Sequence, residues 1–271
     1  MHTAYYNEYS YHLDRMMGFK VYGHAGRPCL VFPAQSGRFY DFENFGMVGA
    51  VQDLLEQGRL QLFTCDSIDW ETWAAFDREC RGRIERHEAY ARYIVEELAP
   101  RILEINQWSN DGRRAGGILT TGCSLGALHA VNFMFRWPDL FNGTIGLSGI
   151  YSSKWYFGGY MDDLVYNNST IDYLDQMPAD HPYVEKYRHC DIVLCCGQGD
   201  WEQEAQQDTR RMQEQAQAKN RADREKLMRS ARQEVAQLAV LAAAKVTGQA
   251  LDQDSDRAMA EQFLSEAGER K

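Results

Sequence analysis

The sequence predicts an α/β fold, a mostly parallel β-sheet with helices on both faces. Short apolar runs at residues 27–33, 60–65 and 142–151 are typical of buried parallel strands. Amphipathic stretches between them, of which residues 83–105 are the longest, predict helices. Strands that alternate with helices in this way favour a parallel sheet that is covered on both sides.

The composition indicates a folded protein and excludes several kinds of partner. With 271 residues, the chain has room for one large α/β domain or a smaller domain with an appendage. A formal net charge of −10, without a block rich in Lys and Arg, argues against binding to nucleic acid or to an anionic membrane surface.

The cysteines and the apolar residues predict where the protein resides. Seven cysteines, scattered and odd in number, are typical of a reducing compartment. The sequence shows neither a signal peptide nor a run of about eighteen apolar residues, so we expect a cytoplasmic protein without a membrane span. No His, Cys or carboxylate group has the spacing of metal ligands, and no metal or cofactor is expected.

Alternating apolar and polar residues, and the positions of two glycines, predict the first strands and the first helix. Residues 9–22 predict a pair of antiparallel strands, broken near Gly18. Residues 47–57 predict an amphipathic helix that ends with Gly58 as its C-cap.

A loop of small residues, 34–40, comes after the predicted strand at residues 27–33. A backbone amide of Gln35, Ser36 or Gly37 could turn inward there and serve as an oxyanion donor. An ordinary strand-to-helix connection without chemistry explains the same residues equally well.

Residues 116–131 predict a buried strand, a sharp corner and a helix. The corner, Gly122-Cys123-Ser124-Leu125-Gly126, has the form G-x-S-x-G, in which glycines leave room for a tight turn that exposes a nucleophilic serine. Ser124 is therefore the candidate nucleophile. The N–H of Leu125 begins the helix and is a candidate oxyanion donor. An ordinary glycine corner is the alternative.

Two later segments are candidates for the substrate site. Residues 152–187 are aromatic and irregular, which is typical of a lid or substrate wall but also of a plain connection. Residues 190–196 predict a strand that leads to Asp200 in a glycine-flanked turn. Asp200 is the candidate acid that orients a catalytic histidine, with a helix N-cap as the alternative role.

No histidine in the sequence comes after His189, although this architecture places the base after the last strand. His129 lies five residues beyond Ser124, on the predicted helix, and is expected to point away from the corner or to pack inward. His181 or His189 could in principle substitute. The predicted Ser-Asp-His triad is therefore incomplete.

The last part of the chain has a different composition. Residues 203–261 contain neither proline nor an aromatic residue and are rich in Ala, Gln, Arg and Glu, which predicts a long C-terminal helix. Apolar residues recur eleven apart, as at Leu227 and Leu238, and this period favours a coiled coil with a helical partner or a second copy. An amphipathic helix that packs on its own domain is the alternative.

The first two hundred or so residues resemble the esterase D-like branch of the α/β-hydrolase superfamily. The resemblance implies a hydrolase of carboxylic esters or thioesters, with Ser124 as nucleophile, Asp200 as acid, and Leu125 and Gln35 at the oxyanion hole. That group ends with a further strand and a histidine-bearing loop, so the fold is expected to be truncated before the last strand. The motifs that carry the resemblance are Leu30-Val31-Phe32-Pro33, Gly37-Arg38-Phe39-Tyr40, Phe45-Gly46-Met47, the corner at Ser124, and Gly197-Gln198-Gly199-Asp200-Trp201-Glu202.

From about residue 215 the chain resembles the C-terminal part of the b subunit of the ATP synthase peripheral stalk. Residues 222–234, 235–240 and 244–248 carry this second resemblance, together with Leu251-Asp252. It implies a chimeric chain, with a hydrolase domain at residues 1–214 and a stalk-like helical segment at 215–271.

These expectations lead to two candidate functions. The first is an esterase-like serine hydrolase that acts on a small-molecule ester and is impaired because no histidine comes after the acid. The second is a non-catalytic interaction protein whose C-terminal helix pairs with helical partners.

Overall fold

A computed structural model describes residues 1–197 together with residues 199, 206, 207, 210–212, 214 and 226. The chain divides into two compact units, Met1–Met212 and Gln213–Lys271, and only two of the described residues, Glu214 and Lys226, belong to the second. The predicted C-terminal helix with its coiled coil, and the candidate acid Asp200, lie outside the described residues. The predicted domain boundary after residue 214 stays a prediction.

The described part of the chain forms one seven-stranded sheet in the order β1-β2-β4-β3-β5-β6-β7. β1 pairs antiparallel with β2 and β2 with β4, whereas every other pairing is parallel. The predicted mostly parallel sheet is thus confirmed. Its strands are β1 (Thr3–Ser10), β2 (Arg15–Tyr22), β3 (Arg27–Phe32), β4 (Leu60–Cys65), β5 (Ile118–Cys123), β6 (Phe141–Leu147) and β7 (Asp191–Cys195).

Helices connect the parallel strands and cover both faces of the sheet. A 3₁₀ turn (Asp69–Glu71) comes after β4, and a π-helical stretch (Tyr93–Leu98) joins the fourth and fifth helices. The α-helices are α1 (Asp41–Asn44), α2 (Met47–Ala50), α3 (Gln52–Glu56), α4 (Cys80–Arg92), α5 (Ala99–Ser109), α6 (Leu125–Arg136), α7 (Lys154–Phe157), α8 (Asp163–Asn167), α9 (Thr170–Gln176) and α10 (Pro182–Arg188).

The alternation of side chains along β3 shows how the sheet separates two cores. Leu30 and Phe32 face the larger core, where the Phe32 ring stacks on Phe133 of α6 with centroids 5.0 Å apart. Val31 faces the opposite side and packs in the core that contains Leu55 of α3. Every residue of α6 from Leu125 to Phe135 is buried, so the helix after the corner is a central element of the fold.

The N-terminal hairpin corrects one prediction. Two antiparallel strands are present, but the turn between them falls at residues 11–14, and Gly18 lies inside β2. A Cβ atom at position 18 would lie 3.0 Å from Oδ2 of Asp66 and 3.1 Å from the ring of Phe39. Glycine is needed there for close packing across the sheet and not for a turn.

The predicted helix at residues 47–57 is divided into α2 and α3. Val51 separates them with φ −112° and ψ 13°, outside the helical range. Gly58 has φ +64° and lies just after α3, as expected for a C-cap glycine.

The long helix predicted at residues 83–105 is continuous from Cys80 to Ser109. Its π-helical stretch ends at Leu98, just before Pro100, whose missing N–H leaves the carbonyl of Glu96 without its helical donor. The wider turn accommodates the proline without breaking the helix.

The aromatic segment at residues 152–187 folds into the short helices α7 to α10. Tyr156 and Phe157 are buried together with Trp73 and with Leu128 of α6. Part of the segment therefore belongs to the core on the outer side of α6, and its role as a substrate wall stays a prediction.

Candidate active site

Ser124 occupies the corner between β5 and α6, where the sequence predicts it. Its backbone has φ 57° and ψ −123°, a region in which non-glycine residues are strained by about 1–3 kcal/mol. The Ser124 N–H donates to the carbonyl of Leu147 at 3.0 Å, and the Ser124 carbonyl accepts from the N–H groups of Ala127 and Leu128. These bonds fix both sides of the corner.

The two glycines of the motif are required by backbone contacts. A Cβ atom at Gly126 would lie 2.3 Å from the carbonyl oxygen of Pro33 and 2.4 Å from that of Phe32. A Cβ atom at Gly122 would lie 2.4 Å from the backbone of Gly126. The end of β3, the end of β5 and the start of α6 therefore touch one another directly, which brings the loop after β3 to the corner.

The amide of Leu125 has the properties of an oxyanion donor. Leu125 is the first residue of α6, and its N–H has no acceptor among the described residues. The first N–H groups of a helix lack partners within the helix and carry the positive end of its dipole. The position therefore suits a negatively charged oxygen that develops beside Ser124.

In the loop after β3 (residues 34–40), one of the three candidate backbone amides is free to bind an oxyanion. Gly37 N–H donates to the carbonyl of Ala34 at 2.9 Å, and Ser36 N–H donates to Oδ2 of Asp69 at 3.0 Å. For the Gln35 N–H, no acceptor is present in the described part of the chain. Ser36 has φ 57°, so this turn is strained like the corner at Ser124.

Asp69 is a feature of the site that the sequence analysis missed. Its side chain is 2% exposed, and its second oxygen, Oδ1, lies 3.1 Å from Nε2 of His129, which is 1% exposed. The carboxylate therefore joins the loop that carries Gln35 to the helix that begins at Leu125. A signal was present, because Asp69 lies shortly after a parallel strand, at the sheet edge where such sites form.

His129 packs inward from α6, as expected, and a second buried histidine lies against it. The rings of His129 and His87 stack with centroids 5.2 Å apart. Burial, and next the proximity of His129, hold the pKa of the His87 imidazole well below its usual value. His87 is therefore neutral at neutral pH.

The remaining histidines lie away from Ser124. All seven are within the described residues. His12 contacts Glu96 at the β1–β2 hairpin, and the strand order places β4 and β3 between that hairpin and β5. Four others lie at the amino ends of the parallel strands, opposite the corner, namely His2, His24, His181 and His189. His181 and His189 therefore lie at the sheet edge opposite the one that carries Ser124.

The edge that carries Ser124 also receives the strand before Asp200. β7 runs parallel to β6, and Cys123, Leu147 and Cys195 are aligned across the three strands. The chain therefore leaves β7 at the same edge of the sheet as the corner. Whether Asp200 acts as the acid stays a prediction.

Three further properties were compared with the expectations from the sequence. Among the described residues, no three His, Cys, Asp or Glu side chains come together as a potential metal site. In the same part of the chain, no helix combines the length and the apolar character needed to cross a bilayer. Burial raises the pKa of the thiols of Cys29 and Cys65 to about 12, so both are core thiols and not nucleophiles.

The fold is similar to that of several solved structures. A ferulic acid esterase superposes with a TM-score of 0.59 at 16% identity, over 79% of this chain and 86% of that one. The fluorophosphonate-binding serine hydrolase F of Staphylococcus aureus gives 0.56 at 12% identity, over 77% and 84%. MPT51 of Mycobacterium tuberculosis gives 0.53 at 14% identity, over 80% and 86%.

At these identities the likeness shows the fold, which is that of the α/β-hydrolases. No curated protein matches the chain. A family model described as "Putative esterase" matches residues 10–237, which is most of the sequence and extends beyond the predicted boundary after residue 214. The resemblance of the last residues to the ATP synthase b subunit stays a prediction. Because this family match spans strands β2 to β7, the corner at Ser124 and the loop at Gln35, the chain belongs to this esterase family.

Proposed function

We propose that the protein hydrolyses small carboxylic esters or thioesters through an acyl-enzyme on Ser124. The observation that carries this proposal is the strained backbone of Ser124 at a corner that closes against Pro33, together with two nearby backbone amides, Leu125 N–H and Gln35 N–H, that have no acceptor in the described structure. A nucleophile beside two preorganised donors is the arrangement that acyl transfer requires. Membership of the esterase family agrees with it.

The reaction runs in two steps. Ser124 Oγ attacks the acyl carbon, loses its proton to a base, and forms a tetrahedral intermediate whose oxyanion accepts hydrogen bonds from Leu125 and Gln35. The intermediate collapses, the alcohol or thiol leaves with a proton, and the acyl group stays on Ser124. Water then attacks the ester, and the acid is released with Ser124 restored.

The unassigned part of this mechanism is the base. Asp200 would orient it, but none of the seven histidines is positioned at the corner. We therefore expect slow turnover in which the oxyanion hole and substrate binding provide most of the catalysis. In triad enzymes these contributions leave a rate about 10³–10⁴ times that in water.

The experiment is covalent labelling with a fluorophosphonate probe, read by intact-mass spectrometry, in parallel with hydrolysis of p-nitrophenyl acetate. We expect slow labelling and slow turnover, both abolished by Ser124→Ala. Ser148→Ala is the matched control, because Ser148 also ends a strand at this edge with a positive φ of 49° and should leave both signals intact.

The outcomes separate the parts of the proposal. Rapid stoichiometric labelling at Ser124 would support the hydrolase and contradict the expected impairment, since a base must then reach the serine. Turnover that survives Ser124→Ala, or neither labelling nor turnover in the unmodified protein, would overturn the proposed function.

A further inference from the structure

The carboxyl end of β4 holds the loop that carries Gln35. Asp69 accepts from Ser36 N–H at 3.0 Å, and Ser67 Oγ donates to the carbonyl of Gly37 at 3.0 Å. Asp66 accepts from Phe39 N–H at 3.0 Å. Three residues just after β4 thus each bind a different residue of the loop.

The Asp69 contact differs from the others because it also reaches α6. Oδ1 of Asp69 pairs with His129 Nε2, and His129 lies four residues after Leu125 on the same helix. One buried carboxylate therefore connects both elements that carry the candidate oxyanion donors. Asp66 instead binds Arg38 and the backbone N–H groups of Phe39 and Gly18, none of which lies on α6.

The orientation of the Gln35 amide depends on its neighbour. Gln35 and Ser36 are the two central residues of a turn that Gly37 N–H closes onto Ala34. Ser36 is strained at φ 57°, and such a residue keeps its conformation only if its surroundings hold it. The Asp69 oxygen that accepts from Ser36 N–H holds the Gln35–Ser36 peptide plane, which is the plane next to the one that carries the Gln35 N–H.

We infer that Asp69, supported by His129, is a positioning residue that sets the Gln35 amide at the distance from Leu125 N–H needed to bind an oxyanion. This inference rests on the proposed function. Asp69 does not touch the substrate. It acts by fixing the loop to the helix, which preorganises the two donors before the reaction.

The test compares Asp69→Ala with Asp69→Asn and uses Asp66→Ala as the matched control. Alanine removes the acceptor for Ser36 N–H, whereas asparagine keeps one oxygen for it. We expect Asp69→Ala to lower kcat for p-nitrophenyl acetate by about ten- to a hundredfold with KM within about threefold, because misplaced donors weaken binding to the transition state. Asp69→Asn should recover most of kcat.

Asp66→Ala should lose stability without the same loss of kcat, staying within about threefold of the unmodified protein, because its contacts lie beyond Gln35 and off α6. All variants are assayed below the midpoint of their own thermal transition. If Asp69→Ala does not fold, His129→Leu provides the second test. It leaves the Ser36 contact in place, removes the support from α6, and should lower kcat with little change in KM.

Hydrogen exchange of the peptide covering residues 33–40 gives a measurement that does not depend on activity. Exchange should accelerate in Asp69→Ala and stay slow in Asp69→Asn. If the unmodified protein has no turnover but exchange behaves as expected, the positioning of the loop stands and the proposed function fails. Unchanged exchange in Asp69→Ala, or a kcat that falls equally in Asp66→Ala, overturns the inference.

Discussion

The corners at Ser124 and Ser148 lie side by side in the sheet and differ in one decisive respect. Both serines come directly after neighbouring parallel strands, and both have positive φ, 57° and 49°. Each donates its N–H to the carbonyl of the residue that ends the next strand, Ser124 to Leu147 at 3.0 Å and Ser148 to Cys195 at 2.7 Å. The positive φ and the sheet contacts are therefore alike at the two positions.

The chain continues differently after each serine. Ser124 leads directly into the twelve-residue helix α6, whereas after Ser148 the chain continues without a helix until Lys154. The backbone of Pro33 closes against Gly126, and the loop with Gln35 continues from there. A strained serine at a strand end is thus not in itself a catalytic feature. Under the proposed function, it becomes one when a helix N-terminus and a second loop supply donors.

The largest loss of turnover that tests this contrast is expected from substituting a glycine near each serine, Gly126 near Ser124 and Gly149 near Ser148. In Gly126→Ala the new methyl group would lie 2.3 Å from the carbonyl oxygen of Pro33, so α6 must move away and take the Leu125 N–H with it. We expect at least a hundredfold loss of p-nitrophenyl acetate turnover and about 2–3 kcal/mol of stability.

Gly149→Ala is the matched control. Its methyl group would lie 2.6 Å from the Tyr151 ring and 2.8 Å from Cβ of Ala127, and it would meet no backbone atom as closely as Gly126→Ala does. The Tyr151 ring can turn aside, whereas the Ala127 contact moves only with α6. Stability should fall here too, but turnover per folded molecule should fall by no more than about tenfold, less than in Gly126→Ala. Equal turnover losses in the two variants would remove the distinction between the corners.

A smaller effect, on the pH dependence of stability, is expected from His87, which stacks on His129 of α6. Because the pKa of His87 is well below its usual value in the folded protein, the native state stays unprotonated while the unfolded chain takes up a proton below about pH 6.5. The unfolded state then binds more protons, so stability falls as the pH decreases. This loss is absent above that pH and grows by about 1.4 kcal/mol per pH unit until the native pKa is reached.

The measurement is urea unfolding of the unmodified protein and of His87→Leu at pH 7.5, 6.5 and 5.5. Between pH 7.5 and 5.5, the unmodified protein should lose about 1.4 kcal/mol more than the variant does. His189→Leu, at a side chain that is 77% exposed, controls for the substitution itself and should behave like the unmodified protein. If the free energy of unfolding changes with pH equally in His87→Leu and in the unmodified protein, His87 does not contribute to acid sensitivity.

The corner at Ser124 could be predicted because five consecutive residues encode it. Gly122 and Gly126 meet backbone atoms in the folded chain, so their identity carries the geometry directly. The central strands β3 and β4 were similarly accessible, since each is a short apolar run that is buried along almost its whole length.

Features that depend on distant contacts could not be predicted in this way. Asp69 binds Ser36, which lies 33 positions away in the chain, and His129, which lies 60 positions away. No local sequence pattern predicts either contact. The mistaken break at Gly18 has the same origin, because the reason for that glycine is Asp66 and Phe39 across the fold. A glycine that suits a turn and a glycine that suits a close contact have the same sequence signature.

The smallest expected effect comes from relieving the strain at Ser148. Glycine adopts positive φ without the steric cost of about 1–2 kcal/mol that a side chain incurs, but it loses more backbone entropy on folding, about 0.5–1 kcal/mol. Ser148→Gly should therefore be more stable by up to about 1 kcal/mol, with turnover unchanged. Thermal unfolding monitored by circular dichroism, together with the p-nitrophenyl acetate assay, measures both. A clear loss of turnover would mean that the Ser148 side chain takes part in the site. The two corners would then differ only in the helix that begins directly after Ser124.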